Sequence, residues 1–319
     1  MSNADTHRAV FYPYATQKRT EFQSEKRSFV YYTTAATALK ALCNREIWMR
    51  LTGVMNDHSE VQHGINCLNS ALASSAGQQL ASALNSCFPG LYEEVLNQFH
   101  QWVPNIFADT FITCISEHEQ EDREYGKLSM WRAYGGNTGV ALVLNPYVFF
   151  SETQALAAYT SPVLYANADG LQAKLGEVAQ NILANTSYVR SIGRDNARGA
   201  VFHALRFGAI CTKHPAFKEE REWRIASSPS MQRSDYVKQF QEVIGDVPQT
   251  VLKIKLEDQP DEGLIGLQPQ DFIEQALIGP CEFPSIIARS FAEEMKKLRF
   301  TNPWEKIKIT GIPLRPNQR

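Results

Sequence analysis

The chain has 319 residues, 44% of them hydrophobic and 21% charged, the make-up of an ordinary globular protein long enough to bury a sizeable core. A formal charge of −2 gives no global electrostatic case for nucleic-acid binding, and no apolar run approaches the length of a membrane span. The start, Met1 through His7, lacks the basic region and apolar stretch of a signal peptide, so the cytoplasm is the default location.

Six scattered cysteines, Cys43, Cys67, Cys87, Cys114, Cys211 and Cys281, form no Cys-x-x-Cys pair and have no histidine cluster beside them. That argues against a zinc site and a dense disulfide framework, and most are expected as small buried hydrophobes.

In chain order, residues 1–27 read as a polar leader with scattered aromatics. The β-branched and aromatic run 28–33 predicts a strand. Thr34 then suits the N-cap of a short helix over 35–44 with Ala38, Leu39 and Leu42 on one stripe. A second strand is expected at 47–50, followed by a turn through Asn56, Asp57 and Glu60 whose polar side chains either hold the loop or shape a pocket mouth. Residues 60–99 read as helical, broken at Phe88-Pro89-Gly90. Strands are expected at 111–116 and 140–144, separated by a charged loop over 117–127 and by Trp131, Arg132 and Tyr134, which either pack around a helix end or form a pocket wall. Gly135-Gly136 and Asn137-Thr138-Gly139 suit a tight connection but lack the glycine order of a dinucleotide fingerprint.

Further on, helices are expected at 149–158, 171–183, 269–277 and 285–298, with an apolar segment at 200–210. The run 225–234 reads as a loop, and strands are expected at 250–256, 277–280 and 306–310. Strands recurring at both ends around a helical middle favour an α+β fold, a single domain over 28–319 with a mixed or antiparallel β core and helical insertions.

The stretch with most chemistry is Phe217-Lys218-Glu219-Glu220-Arg221-Glu222-Trp223-Arg224-Ile225. If it is extended, Glu220, Glu222 and Arg224 share one face and Arg221, Trp223 and Ile225 the other. Such a row can bind a cation or a pair of ribose hydroxyls, or stabilise positive charge developing in a transition state. The structural alternative is an edge strand laced with ion pairs.

Several separated pieces together resemble the DUF2971 family of bacterial proteins: Val30-Tyr31-Tyr32-Thr33, Asn56-Asp57 with Glu60, Cys114-Ile115-Ser116, Leu128 through Tyr134 with Gly139 through Leu142, Lys213-His214, and Phe217 through Ile225. Leu277 through Pro280 and Ile307 through Arg315 resemble that family's tail. The family brings no biochemical function with it. A further resemblance is to the ADP-ribosyltransferase fold, whose late strand carries a catalytic Glu within Glu-x-Glu. Glu220-Arg221-Glu222 is similar to that element, and Ser116 is similar to the serine of the middle strand. The early strand departs, having Tyr31, Tyr32 and Thr33 where a His or Arg is expected.

The fold resemblance implies an NAD-dependent ADP-ribosyltransferase or NAD glycohydrolase. Glu222 would be the catalytic carboxylate and Glu220 would orient or deprotonate the acceptor. Tyr32, Thr33, Ser116, Trp131 and Tyr134 would line the nucleotide site, with Arg50 or Arg132 on the phosphates. The acceptor, protein or nucleic acid, stays open, as do the oligomeric state and a stress or phage-defence role. Two other functions fit the residues alone. One is a nuclease with Asp57, Glu60, Glu220 and Glu222 around a divalent cation. The other is a non-enzymatic binding module in which the charged row joins Arg132 and Arg315 in an ion-pair network.

Overall fold

A computed structural model describes residues 3–54 and 58–313. Asn56, Asp57 and Arg315 lie outside them. The chain divides into two compact units, one from Met1–Glu25, Leu51–Thr110 and Ser161–Glu219, the other from Lys26–Arg50, Phe111–Thr160 and Glu220–Arg319. Among the described residues no helix is long and apolar enough to cross a membrane.

The first unit is mainly helical, with all elements here numbered along the whole chain: α1 (Asn3–Phe11), α2 (Pro13–Ser24), α4 (His58–Leu72), α5 (Ser75–Cys87), α6 (Leu91–Ala108), α8 (Ala168–Ala184), α9 (Thr186–Ser191) and α10 (Arg194–Ile210). A two-stranded parallel pair, β6 (Leu164–Tyr165) with β7 (Thr212–Lys213), completes it. The stretch read as a polar leader is therefore two helices. Pro13 opens α2 at a position where its missing N–H costs nothing. Val10, Phe11 and Phe22 are buried, and the Tyr14 hydroxyl donates to the Val163 carbonyl at 3.0 Å. The expected helical stretch from residue 60 breaks at Phe88-Pro89-Gly90 and also at Ala73-Ser74, where Ser74 caps α5 through the Ala76 N–H.

The second unit is built on a ten-stranded sheet in the order β12-β11-β4-β1-β3-β2-β10-β9, with β8 on β3 and β5 on β8. Its strands are β1 (Ser28–Thr34), β2 (Glu46–Leu51), β3 (Phe111–His118), β4 (Thr138–Leu144), β5 (Ala158–Pro162), β8 (Glu222–Ser227), β9 (Val237–Ile244), β10 (Val247–Lys255), β11 (Ile273–Cys281) and β12 (Ile307–Ile309). The helices are α3 (Ala35–Asn44), α7 (Leu128–Tyr134), α11 (Pro269–Phe272) and α12 (Pro284–Lys297). The sheet is mixed: β1 is antiparallel to β3 and β4, whereas β12 is parallel to β11. Thr34 caps α3 as its sequence suggests, accepting from the Thr37 N–H, and Ala38 and Leu42 are buried.

Three sequence expectations give way. Residues 149–158 form no α-helix: Val148–Phe150 is a single 3-10 turn, Ala157 has φ +46°, and β5 starts at Ala158. The helix expected at 269–277 ends at Phe272, because Ile273 already pairs with Leu144 of β4. The loop expected over 225–234 starts only after Ser227, the end of β8. Of the cysteines, Cys67, Cys87 and Cys211 are buried, Cys114 and Cys281 half-buried, and Cys43 exposed.

Candidate functional site

The charged row does not run as one extended strand. Pro215–Glu220 is a 3-10 turn, begun by a proline whose fixed φ suits it, and Arg221 has φ +45°. Extended geometry starts at Glu222, so Glu220 does not share a strand face with Glu222 and Arg224. Nor is the strand an edge, since β8 pairs with both β3 and β5.

Within β8, the Arg224 Nε donates to Glu222 Oε1 at 2.7 Å, and both side chains are buried. Across the ladder, Ser116 of β3 stands opposite Glu222, and Cys114 opposite Arg224; on the far side of β3, Ser116 faces Val30 of β1. Opposed residues in an antiparallel pair point to the same face. Glu222, Ser116 and Arg224 therefore occupy one small patch of one sheet face. Trp223 points the other way, where its Nε1 donates to Glu117 Oε1 at 2.8 Å and its ring meets Phe29 and Phe150 edge-on.

The residues read as nucleotide-binding separate into two groups. Tyr32 and Trp131 are core: their rings meet edge-on at 4.8 Å, the Tyr32 hydroxyl accepts the Lys127 N–H at 2.9 Å, and Trp131 Nε1 donates to the Tyr125 carbonyl at 2.7 Å. Burial drives the Tyr32 phenol well above its ordinary range, so it stays protonated. Thr33 is buried opposite Val140, and the Arg50 Nε donates to Gln249 Oε1 at 3.0 Å. Arg132 and Tyr134 are exposed on α7, and positions two apart on a helix do not face one way. Of the two it is Tyr134, 42% exposed, whose hydroxyl reaches Glu220 Oε2, at a long 3.5 Å.

Residues 130–225 match the family model DUF2971, described as a protein of unknown function. No curated protein and no solved structure matches the chain. The DUF2971 segment takes in Trp131, Arg132, Tyr134, Glu220, Glu222 and Arg224, while Tyr32, Thr33, Arg50 and Ser116 lie before it.

The DUF2971 segment also contains Lys213, whose Nζ sits 2.5 Å from Glu60 Oε1, both side chains buried in the helical unit. Phe217 lies against the same ammonium, 4.8 Å from ring centre to Nζ. Glu60, one of the four carboxylates of the nuclease reading, is thus an ion-pair partner in the first unit, whereas Glu220 and Glu222 belong to the second. Asp57 lies outside the described residues, and among those described no group of three or more His, Cys, Asp or Glu is arranged to hold a metal ion.

Sequence reading missed the polar network on the Trp223 face. Arg27 pairs with Glu117 and, at 2.9 Å, with Glu119, and Arg221 pairs with Glu119. Burial would raise the Glu119 carboxyl; hydrogen bonding and charge from Arg221, with Arg27 and Lys127, outweigh it and hold the group below its usual range. These residues come from three distant segments, so no local motif announces them. Glu117 and Glu119 fall in the charged loop over 117–127 and Arg221 in the charged row, but nothing in the sequence paired them.

Proposed function

We propose that the second unit binds NAD and cleaves the bond between its ribose and nicotinamide, transferring ADP-ribose to an acceptor or to water. The observation that carries this reading is the placement of Ser116 directly opposite Glu222, with Arg224 fixing the carboxylate from two residues away. Those are the two elements through which the chain resembles ADP-ribosyltransferases. The donor set fits the ligand in part. Glu222 and Ser116 set a carboxylate and a hydroxyl side by side for ribose, though at 6% and 3% exposure they are as enclosed as Tyr32 and Trp131; Tyr134 offers an exposed ring, and Arg132 an exposed guanidinium for phosphate. Tyr32 and Trp131 are packed in the core, where Trp131 anchors α7 against Tyr32.

In this mechanism the glycosidic C–N bond breaks with its electron pair leaving on nicotinamide. Glu222 stabilises the ribosyl cation that develops, an interaction stronger in the transition state than in bound NAD. Glu220 takes the proton of the acceptor nucleophile as the new bond to ribose forms. Soluble protein or RNA is the acceptor in this reading. The test is nicotinamide release from NAD by the purified protein and its Glu222→Gln variant, with total cell RNA and protein added as acceptors. Release abolished in the variant supports the reading; no release under any condition and no thermal shift with NAD overturn it.

A second reading has its own observation. Glu222 and Arg224 are both buried, as a scaffolding ion pair would be. It expects Glu222→Gln to lower stability and NAD to have no effect.

A further inference from the structure

Strand β9 ends one side of the sheet. β10 occupies one of its edges through eight consecutive register pairs without a bulge, and among the described residues no strand pairs with the other edge. The strand contains no proline. Long, flat edges without bulge or proline are templates for further strand pairing. Phe240 and Val243 on it are 43% and 66% exposed.

Its sequence is self-complementary. Val237-Lys238-Gln239-Phe240-Gln241-Glu242-Val243 reads the same in both directions about Phe240, except that a basic residue at one end answers an acidic residue at the other. Laid antiparallel on itself about that centre, Val237 faces the partner's Val243, Lys238 the partner's Glu242, Gln239 the partner's Gln241, and Phe240 its own copy. Both ion pairs form at once, because a two-fold contact repeats every pair.

The existing hairpin leaves a charge for that contact to answer. Lys238 stands opposite Lys253 of β10, like charges in register. Lys253 is already served by Glu242 at 2.6 Å and Glu46 at 3.4 Å, and it lies 4.7 Å from the Phe240 ring centre. Glu242 therefore carries a carboxylate held at the edge, and a second lysine arriving from outside meets it in place.

We propose that β9 pairs antiparallel with β9 of a second copy of this chain about a two-fold axis at Phe240, joining two sheets into one. The experiment is sedimentation equilibrium of the full chain over a wide concentration range, with charge-swap variants. Wild type is expected to dimerise. Lys238→Glu and Glu242→Lys should each be monomeric, and an equimolar mixture of the two should recover dimers, since every cross-strand pair in the mixed dimer is again of opposite sign. Phe240→Asp, which places like charges on the axis and spares Glu242, should be monomeric too, with circular dichroism confirming that each variant is folded. A monomeric wild type overturns the proposal. So does a folded Lys238→Glu or Phe240→Asp that still dimerises, or a mixture of folded single variants that stays monomeric.

Discussion

Ser116 and Glu222 face each other as register partners on β3 and β8, with only 3% and 6% of their surfaces exposed. A carboxylate so enclosed needs a partner, and Arg224 supplies it. Removing the guanidinium takes from a buried carboxylate the 2.7 Å hydrogen bond of its arginine. Arg224→Met should therefore cost about 3–5 kcal/mol, and Glu222→Gln, which keeps the shape but takes the counter-charge from a buried guanidinium, should cost a comparable amount. Chemical unfolding of the two variants gives the comparison; equal small losses would show that the pair is more solvated than its burial implies.

Glu220 makes the contrasting case. It lies outside the strand and its contact with Tyr134 is long. Glu220 is half-buried and Gln keeps its shape, so Glu220→Gln should cost no more than about 1 kcal/mol in thermal unfolding. If Glu220 deprotonates the acceptor, the same variant should slow ADP-ribose transfer while NAD still binds. A transfer rate equal to wild type, measured beside intact nicotinamide release, would remove Glu220 from the mechanism.

Much of the sheet was legible because its inner strands carry the signal physics demands of them. β1, β3 and β4 are dense in β-branched and aromatic residues, and both faces of these strands are largely covered. β9 was not legible: most of its eight residues are exposed, and its alternation of Val, Lys, Gln, Phe and Glu carries no inward apolar face. In 269–277, Pro269 does start a helix, but cross-strand pairing from Ile273 outcompetes its continuation. At the site, Glu222 and Ser116 were readable as candidates from residue type and order. The backbone reversal at Arg221 was not, because an arginine at positive φ leaves no local trace in composition.

Trp131 is the pivot of the α7 face, and Gly279 of β11 is where the sheet makes room for it. A Cβ at Gly279 would lie 2.6 and 2.7 Å from the Trp131 ring atoms Cε3 and Cζ3. A rigid indole pinned by its bond to the Tyr125 carbonyl cannot swing clear as a flexible chain would. Gly279→Ala should destabilise by about 1–3 kcal/mol through overpacking. Thermal unfolding of this variant beside Gly199→Ala, where nothing lies within 4 Å of the new Cβ, is the measurement, and equal effects would refute the crowding argument.

In the helical unit the Lys213–Glu60 pair offers a double-mutant test. Both side chains are buried, so Lys213→Met alone leaves the Glu60 carboxylate without its ammonium and should cost about 3–5 kcal/mol. The double variant Lys213→Met with Glu60→Leu removes both charges and should recover most of that loss. Denaturant unfolding of wild type, both single variants and the double gives the coupling energy. A double variant as unstable as the sum of the singles would show no coupling between the two groups.

His118 makes the second unit sensitive to acid. It is buried at the end of β3, its Nδ1 has no hydrogen-bond partner among the described residues, and the charges acting on it are Asp122, Lys127 and Arg123. Burial, reinforced by Lys127 and Arg123 against the opposing Asp122, lowers its pKa to about 4 from an ordinary 6.5. A histidine whose folded pKa is depressed binds its proton more readily when unfolded, so its contribution is intact above pH about 6.5 and is lost as pH falls toward 4. The full swing is on the order of 3 kcal/mol. In His118→Gln that component is absent, and the difference in unfolding free energy between wild type and variant should therefore change across this window and level off above it. A difference that stays constant from neutral pH down to 4 would show that His118 is solvated well enough to protonate in the folded protein.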